Sequence, residues 1–243
     1  MNLNDKVAVV TGASSGIGEA VAIALAERKV NLTLVARRAD RLESVAQRVR
    51  ITGGQALVAP ADLRSEGAVL SVFEVSQERW GRLDILVNSA GVGIKAGLHD
   101  GSTEAWREMW EVNVLAMAIA TREALRRFNP DTGGHIVNIS STSGHRVPPG
   151  GGFYAVTKFA VRALTEVLRQ ELAASGSPSK VGSVSPGRVA TELFRGSQAC
   201  RSDLDVGAEL DPSDVARTVV HILESPEDVA IHDVILRSRK QRT

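Results

Sequence analysis

Short apolar runs alternate with longer amphipathic stretches along almost the whole chain. "KVAVVT" (6–11) and "NLTLVA" (31–36) are short, β-branched and apolar, the pattern of strands buried on both faces. Between them "GEAVAIALAERK" (18–29) is rich in Ala, Leu and Glu and carries helical spacing. The alternation continues through "ALVAPA" (56–61), "LDILVNSA" (83–90), "GHIVNISS" (134–141), "KVGSVSP" (180–186) and "AIHDVIL" (230–236). Helices are expected over 40–51, 66–80, 103–128, 153–175 and 212–224. The last opens on "DPSDVA", with Asp211 as N-cap, Pro212 in the first helical position and Asp214 near the positive helix end. Seven strands with intervening helices predict an α/β fold built on a parallel, doubly wound sheet. No repeat, low-complexity tract or linker divides the chain, so a single domain over 1–243 is expected. The long irregular stretch 187–210 reads as a substrate loop.

Composition narrows the function classes. The 243 residues fit one α/β unit and are enough to bury a full core. Hydrophobic residues at 43% and charged residues at 23% are ordinary for a soluble globular protein. A net charge of +1 excludes a global pull toward nucleic acid or anionic membranes. The one cysteine, Cys200, cannot form an internal disulfide, and one Cys with five scattered His argues against a zinc site, so no metal is expected. No apolar run approaches the roughly 18 residues of a membrane span, and "MNLNDKVAVV" lacks a signal peptide's basic start and apolar stretch. These features point to a cytoplasmic protein with neither a nucleic-acid nor a membrane partner.

The first strand runs into "TGASSGIG", Thr11 to Gly18, and then into a helix. Gly12, Gly16 and Gly18 let the backbone turn tightly and approach a pyrophosphate, whose charge meets the helix N-terminus. Ser14, Ser15 and Ile17 belong to the same turn. The spacing is G-x-x-x-G-x-G, not the usual dinucleotide G-x-G-x-x-G. Taken alone, the glycines also fit a plain flexible turn, but the flanking strand and helix weigh against that. The second strand ends "VARR", where NAD enzymes tend to place a carboxylate for the ribose 2′-hydroxyl. Here Arg37 and Arg38 stand instead, with no adjacent anion to repel a 2′-phosphate. The plainer reading is a pair of solvated charges opening a helix, where positive charge is mildly unfavourable. NADP(H) is therefore the expected cofactor.

Tyr154 is the only tyrosine, and Lys158, one of six lysines, follows four residues later. On a helix the two share a face. A free phenol titrates near about 10 and is a poor base at neutral pH, but a neighbouring ammonium favours its phenolate. Lowering that pKa by about three units takes roughly 4 kcal/mol, the right order for one cation in a partly dry site. Such a phenol can exchange a proton with a substrate oxygen. An ordinary Tyr–Lys pair on a helix face is the alternative. Upstream, "NISSTSG" places Ser140, Ser141, Thr142 and Ser143 at a strand's C-terminal end, where open α/β sheets bind ligands. A polar exit from the strand explains those hydroxyls equally well.

The set "TGASSGIG", "VNSAG", "NISS", "YAVTK" and "SPGRVATE", in this order and at these intervals, resembles the short-chain dehydrogenase/reductase family over nearly the whole chain. The resemblance implies a Rossmann-type sheet of seven strands in three α/β/α layers, a nicotinamide cofactor and usually a homotetramer, with a homodimer as the smaller option. Carried over residue by residue, it implies that Tyr154 donates or accepts the proton. It makes Lys158 the group that lowers the phenol's pKa and holds the nicotinamide ribose, and Ser141 the one that binds the substrate oxygen. Asn113, in "WEVNVLA", matches the asparagine that supports a water-linked proton path. Asp62, followed by Leu63 in "ADLR", matches the aspartate beside adenine. Asn88, Ala90 and Gly91 match the family's "NNAG" beside the cofactor, with Ser89 departing from it. Pro186, Gly187, Val189 and Thr191 match the segment that holds the nicotinamide amide.

The implied reaction is NADP(H)-dependent interconversion of ketones or aldehydes and alcohols. The tail "DPSDVARTVVHILESPEDVAIHDVILRSRKQ" is similar to two subgroups, the dehydrogenases of 3-hydroxy acids and serine and the member-11-like carbonyl reductases. A carboxylate substrate needs a cation, for which Arg146, Arg188 and Arg195 are candidates. A bulky ketone needs an apolar wall, for which Val147, Pro148, Pro149, Phe153, Leu193 and Phe194 are candidates. A cofactor-sensing protein on the same fold is the non-enzymatic rival, although Ser141, Tyr154 and Lys158 are all present.

Overall fold

The computed structural model of the chain describes residues 2–195 and 209–241, apart from the side chains of Phe194 and Arg195. Among the described residues, seven strands form one sheet in the order β3-β2-β1-β4-β5-β6-β7, and every pairing is parallel. The strands are β1 Val7–Thr11, β2 Asn31–Ala36, β3 Gln55–Pro60, β4 Ile85–Asn88, β5 His135–Ile139, β6 Lys180–Pro186 and β7 Asp233–Leu236. All five residues of β1 are buried, as a central parallel strand requires. Its side chains alternate between two apolar clusters. Ala8 and Val10 face the helices α1 Gly16–Ala26, α2 Ala39–Ile51 and α8 Pro212–Leu223. Val7 and Val9 face α3 Glu66–Trp80, α5 Ala116–Leu125 and α6 Gly152–Ala174. The sheet is thus the middle of three layers, as expected.

The differences lie at the ends of elements. The apolar run 83–90 forms a strand only over Ile85–Asn88, with a separate bridge from Leu83 to Phe128, and 230–236 only over Asp233–Leu236. The helix expected over 103–128 is three pieces: α4 Thr103–Trp110, a π turn Glu111–Leu115, and α5. In the π turn the Ala116 N–H donates to Glu111 O, five residues back. Hydrophobic spacing does not reveal that extra residue. At α8, Asp211 is the N-cap and Pro212 opens the helix, as read from the sequence, and the structure adds that Asp214 reaches back to the Asp211 backbone to complete a reciprocal capping box. Of the stretch 187–210, α7 Glu192–Arg195 and a bridge between Val189 and Leu210 are described. Residues 196–208, with Cys200 among them, lie outside the described residues. No helix among the described residues is long and apolar enough to cross a membrane.

His135 opens β5 fully buried, with neither ring nitrogen hydrogen-bonded among the described residues. Burial, with the Lys180 ammonium adding to it, pushes its pKa down to about 3. Between that value and the ordinary 6.5, the unfolded chain binds the extra proton, so stability falls as pH drops through this window. His135→Leu is expected to raise stability by about 1–3 kcal/mol at neutral pH, because two unpaired polar atoms leave a dry site. It should also flatten the slope between those two pKa values. Urea unfolding at several pH values checks this; an unchanged midpoint and slope would contradict it.

Candidate active site

A groove of ≈ 380 Å³ runs across the carboxyl ends of β1, β2, β4, β5 and β6. It lies where the strand order reverses, between β1 and β4. Most of the predicted residues line it. Gly12, Ser14, Ser15, Gly16, Ile17 and Gly18 form one wall, Arg37, Arg38, Asp62 and Leu63 one end, and Ala90 and Gly91 the floor. Ser141, Tyr154, Lys158, Pro186, Gly187, Val189 and Thr191 line the rest.

Two glycines are fixed by geometry. Gly12 has φ +70°, and a Cβ there would lie 2.8 Å from Ala90 Cα. Gly16 has φ +59°, and a Cβ would lie 2.8 Å from Thr191 Cγ2. Ser15, the N-cap of α1, makes no side-chain cap, so the helix's first-turn N–H groups face the groove without that partner. Ser89 is among the groove's lining residues, but its hydroxyl is sealed from solvent and has no hydrogen-bond partner among the described residues. Helix N–H groups without a side-chain cap and guanidiniums at one end fit an anionic dinucleotide.

Asn88 and Asn113 stand outside the groove wall. Asn88 is buried beneath it, donating to Asn138 Oδ1 at 3.0 Å and to Thr121 Oγ1 at 3.3 Å. It is a strut between β4, β5 and α5. Asn113, in the π turn, is fully buried. Its Oδ1 accepts the Val92 N–H at 2.8 Å, and its amide donates to Val92 O at 2.9 Å and to Thr157 Oγ1 at 3.0 Å. The side chain therefore clamps the loop after β4 to α6. Thr157 in turn donates to Tyr154 O at 2.7 Å, one turn back. Thr11 does similar work at the end of β1, where its Oγ1 accepts the Ser89 and Ala90 N–H groups at 3.0 and 3.1 Å. Thr11 and Thr157 carry no motif signal as partners; their roles come from the pairing of distant segments.

Tyr154 and Lys158 share one face of α6, with the ammonium 5.7 Å from the phenol ring's centre. Lys158 is 4% exposed and donates to Ile139 O at 3.0 Å. Burial pulls its pKa down to about 8. Ser141 is buried at the end of β5, and its hydroxyl accepts the Ser143 N–H at 3.1 Å. Serine, phenol and ammonium thus meet in one groove, from two elements.

At the other end the fold corrects the sequence reading, which finds no anion beside the arginines. Two are present. Asp62 is bound bidentately by Arg64, which leads the influences holding its carboxyl at about 2, with Arg37 adding a smaller pull. Glu192, from α7, pairs with Arg38 at 2.9 Å and with Arg41 at 2.5 Å. Arg41 was not singled out in sequence, although it sits one turn beyond Arg38 on α2. The substrate candidates also separate. Arg146, Val147, Pro148 and Pro149 are exposed, and neither they nor Arg188 line the groove. Phe153 stacks on Trp106 at 5.6 Å and is likewise off the groove. Leu193 lines it, joined by Val92 and Val112, which sequence reading missed. The side chains of Phe194 and Arg195 lie outside the described residues.

Residues 6–201 match the family model for short chain dehydrogenase. The chain is 39% identical over 250 residues to Dehydrogenase/reductase SDR family member 11 of Bos taurus, covering 98% of each chain. It is similar to an alcohol dehydrogenase from the archaeon Thermococcus sibiricus complexed with 5-hydroxy-NADP, at 34% identity and TM-score 0.88 over 99% of each chain. A metagenomic short-chain oxidoreductase in complex with NADP matches at 28% identity and TM-score 0.83 over 98% of each chain.

Proposed function

The chain belongs to the short-chain dehydrogenase/reductase family, and from that premise we propose that it is an NADP(H)-dependent oxidoreductase interconverting ketones or aldehydes and alcohols. The observation that carries this is the meeting of Ser141, Tyr154 and Lys158 in the same groove as the glycine turn and the arginines. Similar structures with NADP-type cofactors support the cofactor. Arg38 and Arg37 would hold a 2′-phosphate, the α1 N-terminus the pyrophosphate, and Pro186 to Thr191 the nicotinamide end. A bound nicotinamide would supply or accept the hydride.

The chain's own residues handle the proton. Ser141 positions the substrate oxygen through its hydroxyl. Tyr154 passes its phenolic proton to that oxygen in reduction and takes it back in oxidation. Lys158 keeps the phenolate accessible by its charge. Because burial holds the lysine near about 8, it is still mostly an ammonium at neutral pH. Asn113 keeps α6 and the loop after β4 in register, so that phenol and groove floor stay aligned. This clamp role, supported by the hydrogen bonds to Val92 and Thr157, stands beside the proton-path support that the family resemblance implies.

Assembly follows from surface. Val156, Phe159 and Val167 on α6 are exposed, at 42%, 40% and 51%. A hollow lined by Met117, Leu125, Leu164 and Val167 lies between α5 and α6. These apolar positions support a homotetramer or homodimer through the two helices. A monomer mass by light scattering at micromolar concentration would refute it.

Following NADPH oxidation over a panel of ketones, 3-oxo acids and steroids tests the reaction. Turnover is expected with neutral carbonyls, and NADP(H) should bind at least about tenfold more tightly than NAD(H), about 1.4 kcal/mol. Equal kinetics with both cofactors would sink the cofactor assignment.

Tyr154→Phe keeps the ring's volume and should leave the fold intact while costing about 10²–10⁴ in rate. In the intact enzyme, alcohol oxidation should rise with pH through a phenol pKa below about 10, since the base is the phenolate. That inflection should vanish in the Phe variant. Lys158→Met should move it upward. A folded Tyr154→Phe protein that retains most of its turnover would mean that the tyrosine is structural.

A further inference from the structure

We propose that Glu192 is an internal competitor for the cations that a cofactor 2′-phosphate needs, so that this carboxylate sets how strongly the chain prefers phosphorylated adenosine. The inference rests on the NADP(H) reading and adds to it a specificity residue from the opposite side of the groove. Glu192 opens α7 and stands 154 positions from Arg38 in sequence. Its Oε2 lies 2.9 Å from Arg38 Nη1, and its Oε1 lies 2.5 Å from Arg41 Nη1. The two oxygens thus engage two guanidiniums, as a phosphate would. Arg38 spends its other terminal nitrogen on Ser14 Oγ at 3.1 Å and Ser15 Oγ at 2.9 Å, which holds the guanidinium against the glycine turn.

The cluster is open to a ligand. Arg38, Arg41 and Glu192 are 41%, 44% and 47% exposed, and Arg38 and Glu192 both line the groove. Among the described residues Glu192 is the only carboxylate bonded to either guanidinium. Hydrogen bonds from Arg41 and Arg38 hold its pKa at about 2, so the competitor is charged at every pH near neutrality. A 2′-phosphate must displace this carboxylate to reach both cations. Unphosphorylated adenosine faces no such competition, because it places no anion there. The pair is half exposed and screened by water, so its effect on affinity is modest.

The test titrates the full chain calorimetrically with adenosine 2′,5′-bisphosphate and, separately, with 5′-AMP. Glu192→Gln keeps the side chain's shape and removes its charge. It should bind the bisphosphate about two- to fivefold more tightly and leave 5′-AMP within about twofold. Glu192→Ala should move the same way, and Arg41→Gln should weaken the bisphosphate alone. Thermal melting of each variant checks the fold. A bisphosphate affinity that stays constant or falls in Glu192→Gln, or an equal shift for both ligands, overturns the proposal. If the unaltered chain does not prefer the bisphosphate over 5′-AMP, the NADP(H) reading fails, and this inference with it. A preference that ignores Glu192 overturns this inference alone.

Discussion

Gly12 and Ala90 approach so closely that no Cβ fits between them, and the rest of the site is built outward from that contact. It sits where β1 and β4 end side by side and the sheet order turns in opposite directions. Chains leaving such a point diverge to the two faces of the sheet and open a crevice between them. Thr11 closes the contact from one side by accepting the Ser89 and Ala90 N–H groups. From the other side Asn113 grips both backbone polar groups of Val92 and reaches Thr157 on α6. Gly12 and Tyr154 are thus connected through the tight Gly12–Ala90 approach, the short backbone run from Ala90 to Val92, and the Asn113 and Thr157 hydrogen bonds that reach α6.

The same dry surroundings that order the site govern its charges. Lys158 is buried on all sides, and burial works against its ammonium. Among the described residues its ammonium donates to the Ile139 carbonyl, an uncharged dipole that only partly replaces lost water. A cation left short of partners has strong influence on an anion formed nearby, because little solvent screens the two. On the proposed mechanism that anion is the phenolate of Tyr154. The groove's other end behaves in the opposite way. There Arg38, Arg41 and Glu192 are wet, and one carboxylate offsets part of the charge of two guanidiniums, so on the proposed reading their contribution is to selectivity among ligands and not to proton chemistry.

What was legible in the sequence was what local rules write. β1 is apolar throughout because both of its faces are buried, and α8 announces itself through Asp211, Pro212 and Asp214. The glycine turn and the i, i+4 placement of Tyr154 and Lys158 are local as well, and the groove contains them all. What local rules do not write is long-range pairing. The motifs mark Asn88 as beside the cofactor and Asn113 as support for a proton path, but they do not show the hydrogen-bond partners Asn138, Thr121, Val92 and Thr157, which come from other elements. The π turn that carries Asn113 inserts no residue type that spacing would flag. Glu192 meets Arg38 only once the chain has folded, because 154 positions separate them and no window along the chain brings them together.

The same distinction between local and folded information bears on substrate. A carboxylate substrate asks for a cation beside Tyr154 and Ser141. Arg146 is close to Ser141 in sequence, but the turn after β5 carries it out to solvent, and Arg188 is also off the groove. Among the described residues, the cations lining the groove are Arg37 and Arg38 at its other end and Lys158, which on the proposed mechanism is committed to Tyr154. The groove's described lining also includes apolar side chains, Val92, Val112, Ile139, Val189 and Leu193. Binding a carboxylate among them would leave the charge unpaired, at a cost of several kcal/mol, whereas a neutral ketone needs only the Ser141 and Tyr154 hydroxyls for its oxygen. On the proposed reading, desolvation would therefore favour neutral carbonyls over 3-oxo acids at the described lining of the groove.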